Sequence, residues 1–198
     1  MKKKIFSLAL VVCFMAVLTF SGTMAYFTAE NVAHNVITSS KVDIHLNEIT
    51  LKVDPETGES IPFENVTGVM PNEKIDKIVS VENINRSAPA FIRVMVKTDI
   101  KLAEIYTDKQ EYVDYSLIYI DFNKDNWTYQ DGYWYYNKVL DTSAETEPLF
   151  TKVEFSKDMG NIYQNAEVTV HVIAQAVQNE NNPGETALTA QGWSRVKE

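Results

Sequence analysis

The chain has 198 residues, enough for one ordinary domain plus a targeting segment and a tail. It is 45% hydrophobic and 11% aromatic, with ten tyrosines and nine phenylalanines against seven glycines, which excludes a disordered polymer. The net charge of −9 becomes −12 once Lys2, Lys3 and Lys4 are removed, so phosphate backbones and anionic lipid are repelled and nucleic acid is not an expected partner.

The chain opens on "MKKK", a positive n-region, followed by the apolar run "IFSLALVVCFMAVLTF" and the small-residue site "SGTMA". That is the layout of a secretory signal peptide over residues 1–25. The apolar run is shorter than the roughly 20 residues that cross a bilayer and is interrupted by Ser7 and Thr19. Thr23 and Ala25 occupy the two critical small-residue positions, and cleavage is expected after Ala25 or after Tyr26. The alternative is an uncleaved anchor; with cleavage no stable membrane anchor remains. Cys13 is the only cysteine and lies inside the leader, preceded by Val12 where a lipoprotein box needs a small residue. A mature chain therefore has no disulfide, thiolate metal site or cysteine nucleophile.

Residues 26–40 read as an N-terminal arm with scattered apolar side chains, Phe27, Val32, Val36 and Ile37. Two readings apply to it: an edge strand or loose terminus of its own domain, or a strand donated to a neighbouring copy. Donation to an open sheet edge proceeds through main-chain hydrogen bonds, and head-to-tail donation builds filaments.

From Val42 the pattern has period two. Val42, Ile44 and Leu46 share one face, and Ile49, Leu51 and Val53 then continue the apolar set in the opposite phase, which predicts a bulge near Asn47 and Glu48. "DPETGE" is turn chemistry. Two further strands are expected around Ile75, Val79 and Val81 and around Ala90, Ile92, Val94 and Val96; Phe91, Arg93, Met95 and Lys97 face away on the second. Residues 99–112 show no clean period and read as a short helix or a long loop. "YSLIYIDF" is another strand. "WTYQDGYWYYNKVL" places two aromatic runs around Asp131-Gly132, a type I′ hairpin signal. "LFTKVEF" follows as a strand, and "EVTVHVIAQAVQ" buries Val168, Val170, Val172, Ala174 and Ala176. Residues 179–198 read as a tail or a short amphipathic helix. With no helix alternating with strand and no repeat, the expected architecture is all-β: an antiparallel β-sandwich, jelly-roll-like, as a single domain over residues 41–178.

Catalytic motifs are absent from the sequence. There is no H-E-x-x-H among His34, His45 and His171, and no G-x-S-x-G elbow. The carboxylate pairs Glu145/Glu147 and Glu180/Glu185 fall in polar loops and read as solvating charge. "DFNKDN" matches half a calcium loop through Asp121, Asn123 and Asp125, but Asn126 replaces the turn glycine and Gly132 the bidentate Glu. A capped turn is the simpler reading. The expectation is a non-enzyme with no cofactor and no metal. Trp127, Tyr129, Tyr133, Trp134, Tyr135 and Tyr136 offer an aromatic surface for sugar rings or association; alternation instead buries half of them.

Four stretches carry a family resemblance. "GTMAYFT" resembles the junction cut by the SipW-type signal peptidase, "SKVDIHL" resembles the opening strand of TasA-like proteins, and the run from "MPNEKI" to "FIRVMV" resembles that family's P-G-x-x-V…V-x-N-x-G segment with Asn72 at the glycine. "DGYWYYNKVL…PLFTKVEF" is similar to a segment of SipW-dependent exported proteins. The chain thus resembles the TasA and camelysin (CalY) family of Gram-positive bacteria. The resemblance implies a jelly-roll-like sandwich, secretion with a SipW-type peptidase as export partner, and self-assembly into extracellular matrix fibres by donor-strand exchange. A homo-oligomer or fibre, and a cell-wall or matrix polymer, are the partners it implies. Camelysins are also classed as metallopeptidases, but no zinc motif here carries that activity over.

Overall fold

Every second residue from Val168 to Ala176 is apolar, and in the computed structural model all five of these side chains are buried in one strand. The structure describes residues 27–31, 35–38, 42–64, 66–84 and 86–194. In chain order its strands are β1 (Phe27–Asn31), β2 (Asn35–Thr38), β3 (Ile44–Val53), β4 (Ser60–Pro62), β5 (Val66–Val69), β6 (Lys74–Asn83) and β7 (Ala90–Lys101). β8 (Ile118–Ile120), β9 (Trp127–Gln130), β10 (Tyr133–Tyr136), β11 (Phe150–Phe155) and β12 (Glu167–Gln178) complete the set.

Two sheets form a sandwich. The larger runs β5-β1-β12-β7-β10-β9, with β2 also paired to β12; the smaller runs β4-β3-β6-β11-β8. The pairings are antiparallel except where β1 and β2 meet β12. The all-β sandwich expected from the alternation is the fold found. β12 and β7 are its spine, in unbroken register from Glu167 opposite Lys101 to Gln178 opposite Ala90. Their inner faces, with Ile92, Val94 and Val168, meet Leu46, Val79, Val81 and Phe150 of the smaller sheet in one core. Burial of that apolar surface is what holds the two layers together.

The aromatic hairpin forms as its turn predicts. Asp131 and Gly132 take φ of 50° and 85°, the double positive φ of a type I′ turn. Asn72 likewise has φ of 66°, a left-handed conformation that asparagine tolerates where glycine is the usual choice. The region without clean periodicity becomes 3-10 turns over Glu104–Tyr112.

The phase change expected near Asn47 and Glu48 does not occur. β3 stays in step with β6 from Ile44 opposite Asn83 to Ile49 opposite Ile78, so the face of Val42, Ile44 and Leu46 continues into Glu48. The reason is a compensating charge: Lys77, diagonal to Glu48 across the strand pair, places its Nζ 3.0 Å from the Glu48 carboxylate. Both side chains are almost fully buried, and the ammonium also lies 4.2 Å from the centre of the Phe63 ring. Burial lowers the Lys77 pKa, and Glu48 opposes that shift. Leu51 and Val53 consequently point outward, 61% and 59% exposed. The register irregularity lies C-terminal to Glu48, between Ile49 and Val53 where β3 meets β4.

Residues 179–194 form turns, bends and irregular backbone rather than a helix. They cover part of the outer face of the larger sheet, where Ala187 and Ala190 join Phe91, Tyr135 and Val177 in a second, smaller apolar cluster. Buried Asn182 ties this segment together: its side-chain amide donates to the Gln178 carbonyl, and its oxygen accepts from the Gln191 N–H.

Candidate functional site

The arm lies against the last strand. β1 runs parallel to β12, with Thr28 opposite Glu167 and Asn31 opposite Val170, and β2 continues along it from Asn35 opposite Ile173 to Thr38 opposite Ala176. β1 is also paired on its other side, antiparallel to β5, where Phe27 aligns with Val69. Val36 and Ile37 align with Ala174 and Gln175. Val32 lies outside the described residues, as do the cleavage positions Thr23, Ala25 and Tyr26 and the whole leader. The main-chain edge of β12 that faces away from β7 is therefore filled by two short segments from the start of the chain.

The aromatic surface is narrower than the sequence suggests. Trp127, Trp134 and Tyr136 belong to the main core and Tyr135 to the smaller cluster; Tyr129 is exposed and Tyr133 half-buried. Alternation accounts for this. Trp134 opposes Tyr129 and Tyr136 opposes Trp127 on one face of the hairpin, with ring centroids 5.0 and 5.1 Å apart. Tyr133 and Tyr135 lie on the other face, beside Arg93.

Arg93 was legible only as an outward residue of an apolar strand. Its guanidinium sits 3.9 Å from the Tyr133 ring centre and 4.6 Å from that of Trp193. Nε donates to Gln175 Oε1 at 2.7 Å, Nη1 to the Tyr135 hydroxyl at 3.3 Å and Nη2 to the Ser194 carbonyl at 3.2 Å. Gln175 donates to the same carbonyl at 3.0 Å. These contacts fasten the C-terminal segment to the sheet.

Glu145 and Glu147 have specific structural partners. Glu145 accepts hydrogen bonds from Ser80 and, at 2.9 Å, from Asn47. Glu147 accepts from the Tyr136 hydroxyl and, at 2.6 Å, from Lys138. The Lys138 and Tyr136 hydrogen bonds hold the Glu147 carboxyl down at about 2. Burial and the adjacent carboxylate push Tyr136 up to about 12. Because the folded carboxyl lies below its unfolded value of 4.5, its stabilisation is present above pH 4.5 and is lost as pH falls toward 2. Melting temperatures of wild type and Glu147→Gln are accordingly expected to converge through that window, while their separation at neutral pH stays constant; parallel curves would refute a stabilising role for the Glu147 hydrogen bonds. Half-exposure of the pair keeps the effect modest.

Asp121 accepts from the Thr151 and Lys152 amides and the Thr151 hydroxyl, and the Asn123 side-chain oxygen accepts from the Asp125 and Asn126 amides. These bonds make a capped turn of the half calcium loop. His45 is exposed on the smaller sheet, His171 half-buried on the outer face of β12, and His34 outside the described residues. Among the described residues no group of three or more His, Cys, Asp or Glu is placed to hold a metal ion, and no helix is long and apolar enough to cross a membrane.

Comparison with protein-family models, with curated proteins and with solved structures finds no match to this chain.

Proposed function

We infer that this is a secreted structural protein of the cell surface or biofilm matrix, non-enzymatic, which self-associates by donating residues 26–40 to a neighbouring copy. The observation that carries the reading is the position of β1 and β2. They occupy the edge of β12 through main-chain pairing, yet join the rest of the domain in sequence only through residues 39–43. An identical segment from a second copy makes the same hydrogen bonds in the same register, so exchange between chains costs little in contacts. Exchange that passes from copy to copy without closing produces a fibre. The leader layout and the "GTMAYFT" junction support export and processing by a SipW-type peptidase before assembly, and the resemblance to TasA-like proteins points the same way.

The test compares protein starting at Tyr26 with protein starting at Lys41, by size-exclusion chromatography and electron microscopy. The longer form is expected to build large oligomers or filaments as concentration rises. The shorter form is expected to remain monomeric and to bind a synthetic peptide of residues 26–40. If both forms stay monomeric over a wide range of concentration and pH, homotypic donation is wrong.

A further inference from the structure

The edge of the sandwich away from the arm carries a cleft of about 440 Å³ between the two sheets, within the size range of small-ligand sites. β8 of the smaller sheet and β9 of the larger meet there, each paired on one side only among the described residues, to β11 and β10. Tyr119 projects from β8 and Tyr129 from β9, 61% and 60% exposed. Phe122 and Trp134 line the same cleft as a packed aromatic pair. Trp134 is stacked on Phe122 at 4.4 Å and 23°, and Phe122 meets Phe150 of the core edge-on at 5.7 Å. Tyr129 leans on Trp134 at 5.0 Å. Among the described residues the one charged side chain of the lining is Lys124 and no carboxylate lines the cleft, although the chain as a whole carries −9.

We propose that this cleft binds a polysaccharide chain, with pyranose rings lying on Tyr119 and Tyr129. A sugar ring presents an apolar C–H face and a rim of hydroxyls. The cleft answers with two exposed tyrosine rings, one of them leaning on the packed Phe122/Trp134 pair, and with phenol hydroxyls, one ammonium and single-sided strand edges around them. Pre-packing of Phe122 and Trp134 means that little order remains to be imposed on binding. A lining without carboxylates admits neutral polymers, and Lys124 favours those bearing carboxylates, with Glu154 opposite Tyr119 as the nearest opposing charge on β11. Extended peptide is the poorer occupant: β8 and β9 span three and four residues, a short template for strand addition. This inference rests on the extracellular reading only for where such a polymer is met, and it is measured separately from self-association.

The experiment is native affinity electrophoresis of the full chain in gels cast with hydroxyethyl cellulose, with a soluble β-1,4-linked N-acetylglucosamine polymer, or with polygalacturonate. Wild type is expected to be retarded by at least one of them. Tyr119→Ala and Tyr129→Ala should each weaken retention roughly 3- to 10-fold, the range of one aromatic contact. Tyr119→Ala should leave the melting temperature unchanged, whereas Tyr129→Ala lowers it slightly through the lost contact with Trp134, so both are compared at a temperature where each variant is folded. Lys124→Gln should weaken retention by polygalacturonate alone, and only at low salt. The proposal is overturned if no polymer retards wild type more than the Tyr119→Ala/Tyr129→Ala double variant. It is equally overturned if that variant changes oligomer size while retention is unaltered, which would make the cleft a protein contact.

Discussion

Lys77→Met is expected to destabilise the domain by about 3–5 kcal/mol, read as a lowered midpoint of urea unfolding at unchanged slope. The figure follows from burial. Both partners of the Lys77–Glu48 pair are removed from water, so deleting the ammonium leaves a carboxylate whose desolvation has lost its closest compensating charge. Lys77→Met combined with Glu48→Gln should recover part of the loss, because a neutral amide costs far less to bury. Lys77→Met with Glu48→Leu should come within about 1 kcal/mol of wild type or exceed it, since a well-packed apolar pair replaces a pair whose attraction only roughly offsets its desolvation. The cycle built from the two singles and the double then gives a coupling of several kcal/mol. A Lys77→Met cost below about 1 kcal/mol would mean that the pair is solvated in solution and that β3 is not held in its observed phase by charge.

That pair also marks where the sequence stops being legible. β6, β7 and β12 are readable because each packs one face against the other sheet, which makes that face apolar at a period of two; on β7 and β12 the outer face is partly covered as well, at Phe91, Arg93, Gln175 and Val177. From Glu48 onward the local pattern of β3 points to the wrong face. Counting Ile49, Leu51 and Val53 as the buried set treats a buried Glu as an error, and nothing local in the sequence joins Glu48 to Lys77, which reaches it only through strand pairing. The hairpin turn was readable from Asp131-Gly132 alone, since only a few dipeptides accept two positive φ angles. The fate of its aromatics was not: Trp134 and Tyr129 are partners, but Phe122 and Tyr119, which complete the cleft, arrive from outside the hairpin. The seating of β1 and β2 is legible in part. A short arm with scattered apolar residues says strand, whereas its parallel alignment with the last strand is a property of the whole fold.

Arg93→Met is expected to cost roughly 2–4 kcal/mol, the range for losing buried charge-assisted hydrogen bonds together with a desolvated cation–aromatic contact. More telling than the size is the location of the effect. Arg93 holds Gln175 of β12, Tyr135 of β10 and the Ser194 carbonyl from one planar group, so it joins two strands of the sheet to the C-terminal segment. Its loss should release residues 179–194 before the sandwich itself unfolds: faster amide exchange there, earlier proteolytic removal of the C-terminus, and a red-shifted Trp193 fluorescence. Arg93→Lys should recover little, because a single ammonium cannot spread its donors over three separated acceptors while lying flat between Tyr133 and Trp193. If Arg93→Met instead lowers protection evenly across β7, β10 and β12, the guanidinium is a support of the sheet and the segment is held by Ala187, Ala190 and the Asn182 hydrogen bonds alone. The two outcomes separate in one exchange experiment, because the segment and the sheet give different peptides.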